Sequence, residues 1–217
     1  MTASIKQRMT SRAHEVAPIA EEQIPAAGEV LARAFADDPL SVYTQPDVDA
    51  RLRQFAWFFS QFVRERAGHE TVYGHVSSGR LDGVAVWTPP QAAESALERD
   101  GESELAQLEE RFGPESYRRF AVYGYFEDVH RQAMDEAPHW YLPVLGVDPG
   151  AQRQGIGEAL LTPVFWKADQ AGVPCYLETF VSDNVPFYEK RGFDVVAAGV
   201  VLEGRIPYWA MRREPAS

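Results

Sequence analysis

The chain has 217 residues, 45% of them hydrophobic and 12% aromatic, which is enough apolar material for a sizeable core and excludes a disordered tail protein. Its 21 Lys and Arg stand against 32 Asp and Glu for a net charge of −11, a balance that repels phosphate backbones and suits a cationic small molecule better than nucleic acid. Cys175 is the single cysteine, so an intrachain disulfide and a cysteine-clustered zinc are both excluded.

Residues 1–12 carry Lys6, Arg8 and Arg12 with no apolar stretch behind them and are expected to form a flexible tail ahead of one domain spanning 13–217 in a cytoplasmic protein. The longest apolar run, Val195 to Leu202, is eight residues, against roughly 20 for a bilayer span. No membrane association is expected. A short extended segment at Ala13 to Ile19 precedes a helix whose apolar residues recur at Ala27, Val30, Leu31, Ala34 and Phe35. Asp38-Pro39 is expected to end it, because the residue before proline avoids the helical region. A second helix over about Val48 to Arg66 carries Leu52, Phe55, Phe58, Phe59 and Phe62 on one face, a pattern expected of core packing, and Gly68 closes it. Strands at Thr71 to Ser77 and Leu81 to Thr88 flank the turn Ser78-Gly79-Arg80.

From Gln91 to Ala137 the chain shifts to Glu, Ala, Leu and Arg, predicting a helical insertion of two helices broken at Gly113-Pro114. A strand over Trp140 to Val147, a glycine-rich turn, a helix over about Gly155 to Ala171 and a strand over Val173 to Phe180 form a strand-loop-helix-strand unit with parallel strands. A short helix at Pro186 to Arg191, a strand at Phe193 to Leu202, a turn at Glu203-Gly204-Arg205 and a last strand at Ile206 to Arg212 complete the chain.

The turn is the informative part. After Leu145-Gly146-Val147 and Asp148-Pro149-Gly150 comes Gln152-Arg153-Gln154-Gly155-Ile156-Gly157-Glu158 at the start of a helix. The first amides of a helix lack partners within it, and glycine lets a ligand approach the backbone, so the arrangement suits a phosphate. It is not a P-loop, which needs Lys-Ser/Thr, and Gly155-Ile156-Gly157 falls short of the dinucleotide fingerprint. Gln-x-x-Gly-x-Gly remains.

This segment resembles the acetyl-coenzyme A loop of the GNAT superfamily of N-acetyltransferases. A second superfamily landmark, Asn-x-x-x-Tyr-x-x-x-Gly-Phe, stands at Asn184, Tyr188 and Gly192-Phe193. Leu177-Glu178-Thr179, Ala171-Gly172-Val173-Pro174, Pro163, Ala85-Val86-Trp87-Thr88 and Ala34-Phe35-Ala36-Asp37 resemble the puromycin N-acetyltransferase group within it, which has an aromatic residue where this chain has Asp38. The resemblance implies an α/β (α+β) fold with helices on both faces of a mixed, mostly antiparallel sheet, splayed between its fourth and fifth strands. It implies acetyl-CoA as cosubstrate, held at Leu145, Gly146, Val147, Gln152, Arg153, Gln154, Gly155, Ile156, Gly157, Glu158, Asn184 and Tyr188. The leading acceptor is the primary amine of a small molecule such as an aminonucleoside antibiotic, attacked directly with no acyl-enzyme intermediate, which would make this an antibiotic-resistance enzyme.

Tyr188 matches the family's proton donor, and a phenol near pKa ~10 can protonate a thiolate whose parent thiol titrates at about 8.5. A tyrosine covering the core is the plain alternative. Glu178 alternates with Leu177 and Thr179 along its strand and is a candidate base, or else a salt-bridged strand carboxylate. Asp37, Asp38, Glu127 and Asp128 are candidates to attract an ammonium group, with Trp87, Tyr123 and Tyr125 to flank a planar body. His14, His69, His75, His130 and His139 show no metal-ligand spacing, so no metal is expected. Cys175 in a core strand is expected to be inert. The competing expectations are acetylation of a polyamine, amino acid or protein N-terminus, favoured by an open acidic pocket without aromatic walls, and a coenzyme-binding sensor without turnover. The oligomer is expected to be a monomer or homodimer.

Overall fold

The computed structural model describes residues 15–67, 70–90, 101–134, 137–202 and 205–216, with the side chains of 101–106 outside that description. The expected tail 1–12, His14, Gly68, His69, the first part of the insertion (91–100) and the Glu203-Gly204 turn lie outside the described residues. Strand β1 (Glu15–Pro18) leads to helices α1 (Ile24–Ala34), α2 (Pro39–Thr44) and α3 (Val48–Arg66), then the hairpin β2 (Val72–Ser77) and β3 (Arg80–Thr88). Helices α4 (Gly101–Arg119) and α5 (Val122–Met134) precede β4 (Trp140–Val147), α6 (Ile156–Ala171), β5 (Cys175–Thr179), α7 (Val185–Glu189), β6 (Phe193–Val201) and β7 (Ile206–Arg213).

The seven strands form one sheet in the order β1-β2-β3-β4-β5-β7-β6. Every pairing is antiparallel except β4 with β5. Strand β3 is buried along nearly its whole length, as a central strand covered on both faces must be. On one face α6 packs over Leu142, Leu177 and Met211; on the other α1 and α3 pack over Val84, Val86 and Val144. The helices therefore lie on both faces.

Two expectations are corrected. Helix α1 ends at Ala34 with Phe35 as its C-cap, ahead of Asp38-Pro39, which instead starts α2: the Asp38 carboxylate accepts from the amides of Leu40 and Ser41, and Pro39 fills the first helical position. An acidic N-cap followed by proline is a start signal as much as a stop. The insertion also breaks twice rather than once, at Gly113 (φ 79°, ψ 161°) inside α4 and again between Arg119 and Val122.

The α1–α3 contact has a visible tolerance. A Cβ built at Gly28 would collide with the Ala56 carbonyl oxygen and the Ser60 hydroxyl of α3. The backbone oxygen cannot rotate away, so Gly28→Ala is expected to destabilise the protein by about 1–3 kcal/mol. Urea denaturation checks this; an unchanged midpoint would mean the two helices separate freely.

Candidate active site

The site begins with a defect in the sheet. Between Val86↔Val144 and Thr88↔Tyr141 the β3–β4 ladder changes register, leaving one extra residue on β4 at Leu142-Pro143. Proline has no amide to give the ladder, and bulges are where strands accept it. On its other edge β4 pairs with β5 only at Trp140↔Cys175 and Tyr141↔Tyr176. Beyond those two pairs the strands part, so the β5-facing edge of β4 from Leu142 to Val147 is unpaired.

The glycine-rich loop sits at the end of that edge. Its start is pinned by Asp148, which receives the Arg33 guanidinium at 2.9 and 3.0 Å and the Gly150 amide at 3.0 Å. Burial works to raise the Asp148 pKa, but these partners outweigh it and hold the group below the usual carboxylate range. Gln152 donates to the Val147 carbonyl at 3.2 Å. Gly155 caps α6 at φ 84° with no side-chain bond to the first amides, so those donors stay open at the positive end of the helix dipole. Arg153, at φ 61°, also takes the left-handed conformation. A Cβ on Gly157 would lie 3.1 Å from the Phe187 ring. Helix α6 continues through Pro163.

Tyr188 and Glu178 lie on opposite faces of the sheet. Tyr188 is buried on the α6 side with Leu177 and Phe193, and burial pushes its phenol well above its ordinary pKa, so it holds its proton at neutral pH. Asn184 donates to Thr179 Oγ1 at 3.1 Å rather than capping α7, tying that turn to the end of β5. Glu178 instead lines a cavity of about 320 Å³ on the α5 side. Burial pushes its carboxyl up to about 7, held back in part by the Tyr176 and Tyr141 phenols, and its Oε1 is buried with no hydrogen-bond partner among the described residues.

The cavity collects Asp38, Tyr123 and Glu127 of the expected substrate residues, together with Phe35, Phe58, Phe59, Phe62, Phe126, Phe180, Arg66, His130 and Tyr141. Helix α5 supplies Tyr123, Phe126, Glu127 and His130, which share one face. Four expected residues lie elsewhere. Trp87 is buried against Trp140 and Phe165 on the α6 side, because alternation along β3 sends its neighbour Thr88 to the cavity instead. Asp37 is exposed and outside the lining, and Tyr125 is exposed, its hydroxyl 3.3 Å from that of Tyr208. Asp128 pairs with Arg131 on the surface. Cys175 is buried, and burial pushes its thiol up to about 12.

Sequence spacing missed the aromatic wall from α3, whose Phe58, Phe59 and Phe62 read as ordinary core, and it missed His130. His130 and His139 bring their Nε2 atoms to 2.6 Å, and burial, then His139, pushes His130 down to about 4.

The model of the Acetyltransferase (GNAT) family matches residues 32–193. This chain belongs to the GNAT acetyltransferase family. An uncharacterized N-acetyltransferase of Schizosaccharomyces pombe is 28% identical over 204 residues, covering 87% of this chain and 78% of that protein. A Corynebacterium glutamicum structure described as histone acetyltransferase HPA2 and related acetyltransferase superposes with a TM-score of 0.64 at 22% identity, over 94% of this chain and 98% of that one. Arylalkylamine N-acetyltransferase 2 from Aedes aegypti superposes with a TM-score of 0.62 at 13% identity, over 94% and 99%. At these identities the two structures establish the shared fold.

GNAT acetyltransferases use acetyl-CoA, and the local geometry fits it: open amides at α6, a glycine surface at Gly155 and Gly157, and an unpaired β4 edge for an extended chain carrying amides. Gly155→Glu would set a carboxylate, on a residue held at φ 84°, beside the open amides at the start of α6. It is expected to weaken coenzyme A binding by at least about tenfold, roughly 1.4 kcal/mol. Calorimetric titration checks this, and unchanged affinity would displace the pyrophosphate from the α6 start.

Proposed function

We propose that this acetyltransferase moves an acetyl group from acetyl-CoA to the primary amine of a small molecule with an apolar, largely aromatic body, an aminonucleoside being one member of that class. The observation that carries this reading is the cavity: Glu178 among six phenylalanines, opening beside the β4–β5 gap. Aromatic walls favour a planar or bulky apolar body over a fully solvated polyamine, and their faces also attract an ammonium group.

Each chemical demand then has a residue. Glu178, with a carboxyl near 7, takes the proton from the bound ammonium, matching a base to neutral pH. Bound acetyl-CoA supplies the acyl group as a thioester. A free amide of the bulged β4 edge donates to the carbonyl oxygen as negative charge develops there. Tyr188 gives its proton to the departing sulfur from the opposite face, and burial keeps that proton in place until it is needed. Direct attack fits a site whose single thiol, Cys175, is buried and protonated.

Thiol release from acetyl-CoA against a panel of aromatic amines, aminonucleosides, linear polyamines and short peptides tests the reading. Turnover of aromatic-bodied amines is the expected result; turnover of linear polyamines alone, or coenzyme binding with no release, would overturn it. Because Glu178 must be ionised to act, kcat/KM is expected to rise about tenfold per pH unit below 7 and level off above it. Glu178→Gln should lower the plateau and remove that limb, and a profile that keeps it would assign the titration to another group. Tyr188→Phe should lower kcat by at least about tenfold with coenzyme affinity unchanged; unaltered turnover would remove Tyr188 from the mechanism.

A further inference from the structure

Besides Glu178 and the exposed Glu127, the cavity holds a further carboxylate. Asp38 comes from the turn between α1 and α2, a different element from the β5 residue Glu178, and lines the same space. Its cap bonds use one oxygen only: Leu40 N at 2.9 Å and Ser41 N at 3.2 Å both reach Oδ1. Oδ2 has no hydrogen-bond or ion-pair partner among the described residues. Of the groups around the cavity that could neutralise it, Arg66 bonds Glu65 and the Phe62 carbonyl and stacks on the Phe62 ring at 3.6 Å. His130 is spent on His139 and kept neutral by burial, and no basic side chain pairs with Glu178 among the described residues. Tyr123, facing Asp38, is held protonated by burial and then by that carboxylate.

This arrangement exceeds what a helix start requires. Asn or Ser caps as well as Asp without bringing a charge, and here burial works against the charge, pushing the Asp38 carboxyl up to about 6. A half-buried carboxylate with no cation beside it is unfavourable until one arrives. We propose that Asp38 is a second cation anchor and that the acceptor is a dication: an apolar, aromatic body with one amine acetylated beside Glu178 and a second cationic nitrogen held by Asp38 Oδ2. The proposal rests on the acetyl-transfer reading of the cavity and adds the acceptor's charge pattern to it. The phenylalanine walls take the spacer, and a bound dication sets one cation against Glu178 and one against Asp38, while Glu127, the third carboxylate of the lining, is exposed to solvent.

The test compares two probes with the same ring and reactive arm, p-xylylenediamine and 4-methylbenzylamine, by thiol release and by calorimetric titration in the presence of coenzyme A. The wild-type protein is expected to favour the diamine at least about tenfold in both measurements. In Asp38→Asn, which keeps the cap, the ratio should collapse to within about twofold of unity, and Asp38→Ser should repeat that result. Urea midpoints close to wild type would place the change in the cavity rather than in α2. A wild-type protein indifferent between the probes, or a diamine preference that survives both substitutions, overturns the proposal. Preferential diamine binding that disappears in Asp38→Asn, with no thiol released from either probe, supports the anchor while overturning acetyl transfer, so the two readings fail separately.

Discussion

Strand β4 stops pairing with β5 after two residue pairs, and the site depends on that stop. A proline within a strand can be accommodated where the ladder is already irregular, and Pro143 sits at the extra residue between Val144 and Tyr141. The bulge shifts the alternation of β4, so Leu142 faces α6 while Pro143 and Val144 line the cavity. The same shift turns the strand away from β5. A fully paired β4–β5 ladder would satisfy its amides internally and close the passage between the two faces.

The two faces carry different environments because different helices cover them. On the α6 side, Tyr188 stands in a packed cluster with Leu177, Phe193 and Met211, where burial holds a phenol neutral. On the α5 side the helices stand far enough from the sheet to leave about 320 Å³, and the carboxylates there keep partial access to that space. The same desolvation therefore raises both groups with different consequences: a phenol is fixed as a proton donor, while a carboxyl near 7 is poised to accept. Asp148 shows the contrast, since Arg33 and the Gly150 amide hold it ionised as a structural pin.

Much of the fold was legible in the residues. The 3.6-residue spacing of α3, the alternation and turn of the β2–β3 hairpin, and the glycine start of α6 are local signals, and each element lies where its pattern placed it. The Gln152 to Gly157 and Asn184 to Phe193 segments were readable as family landmarks for the same reason: each is a contiguous stretch, the first carrying its chemistry on its backbone and the second on the Asn184 and Tyr188 side chains. The cavity was only partly legible. Asp38, Tyr123 and Glu127 line it, but Trp87, Asp37 and Tyr125 lie elsewhere, because a doubly covered strand and a helix surface offer several directions that composition does not distinguish.

The sequence by itself determined the strand and helix order, the parallel unit around the glycine turn, and the residue types able to bind a coenzyme and move protons, since these follow from nearest-neighbour backbone preferences and short spacings. Tertiary structure decided which carboxylates lose water together and which aromatic residues face a cavity rather than the core. It also brought His130 to His139 across a helix-strand connection. The cavity and its carboxylates depend on distances between elements remote in the chain, and the pKa values that govern the chemistry depend on burial, which no single segment carries.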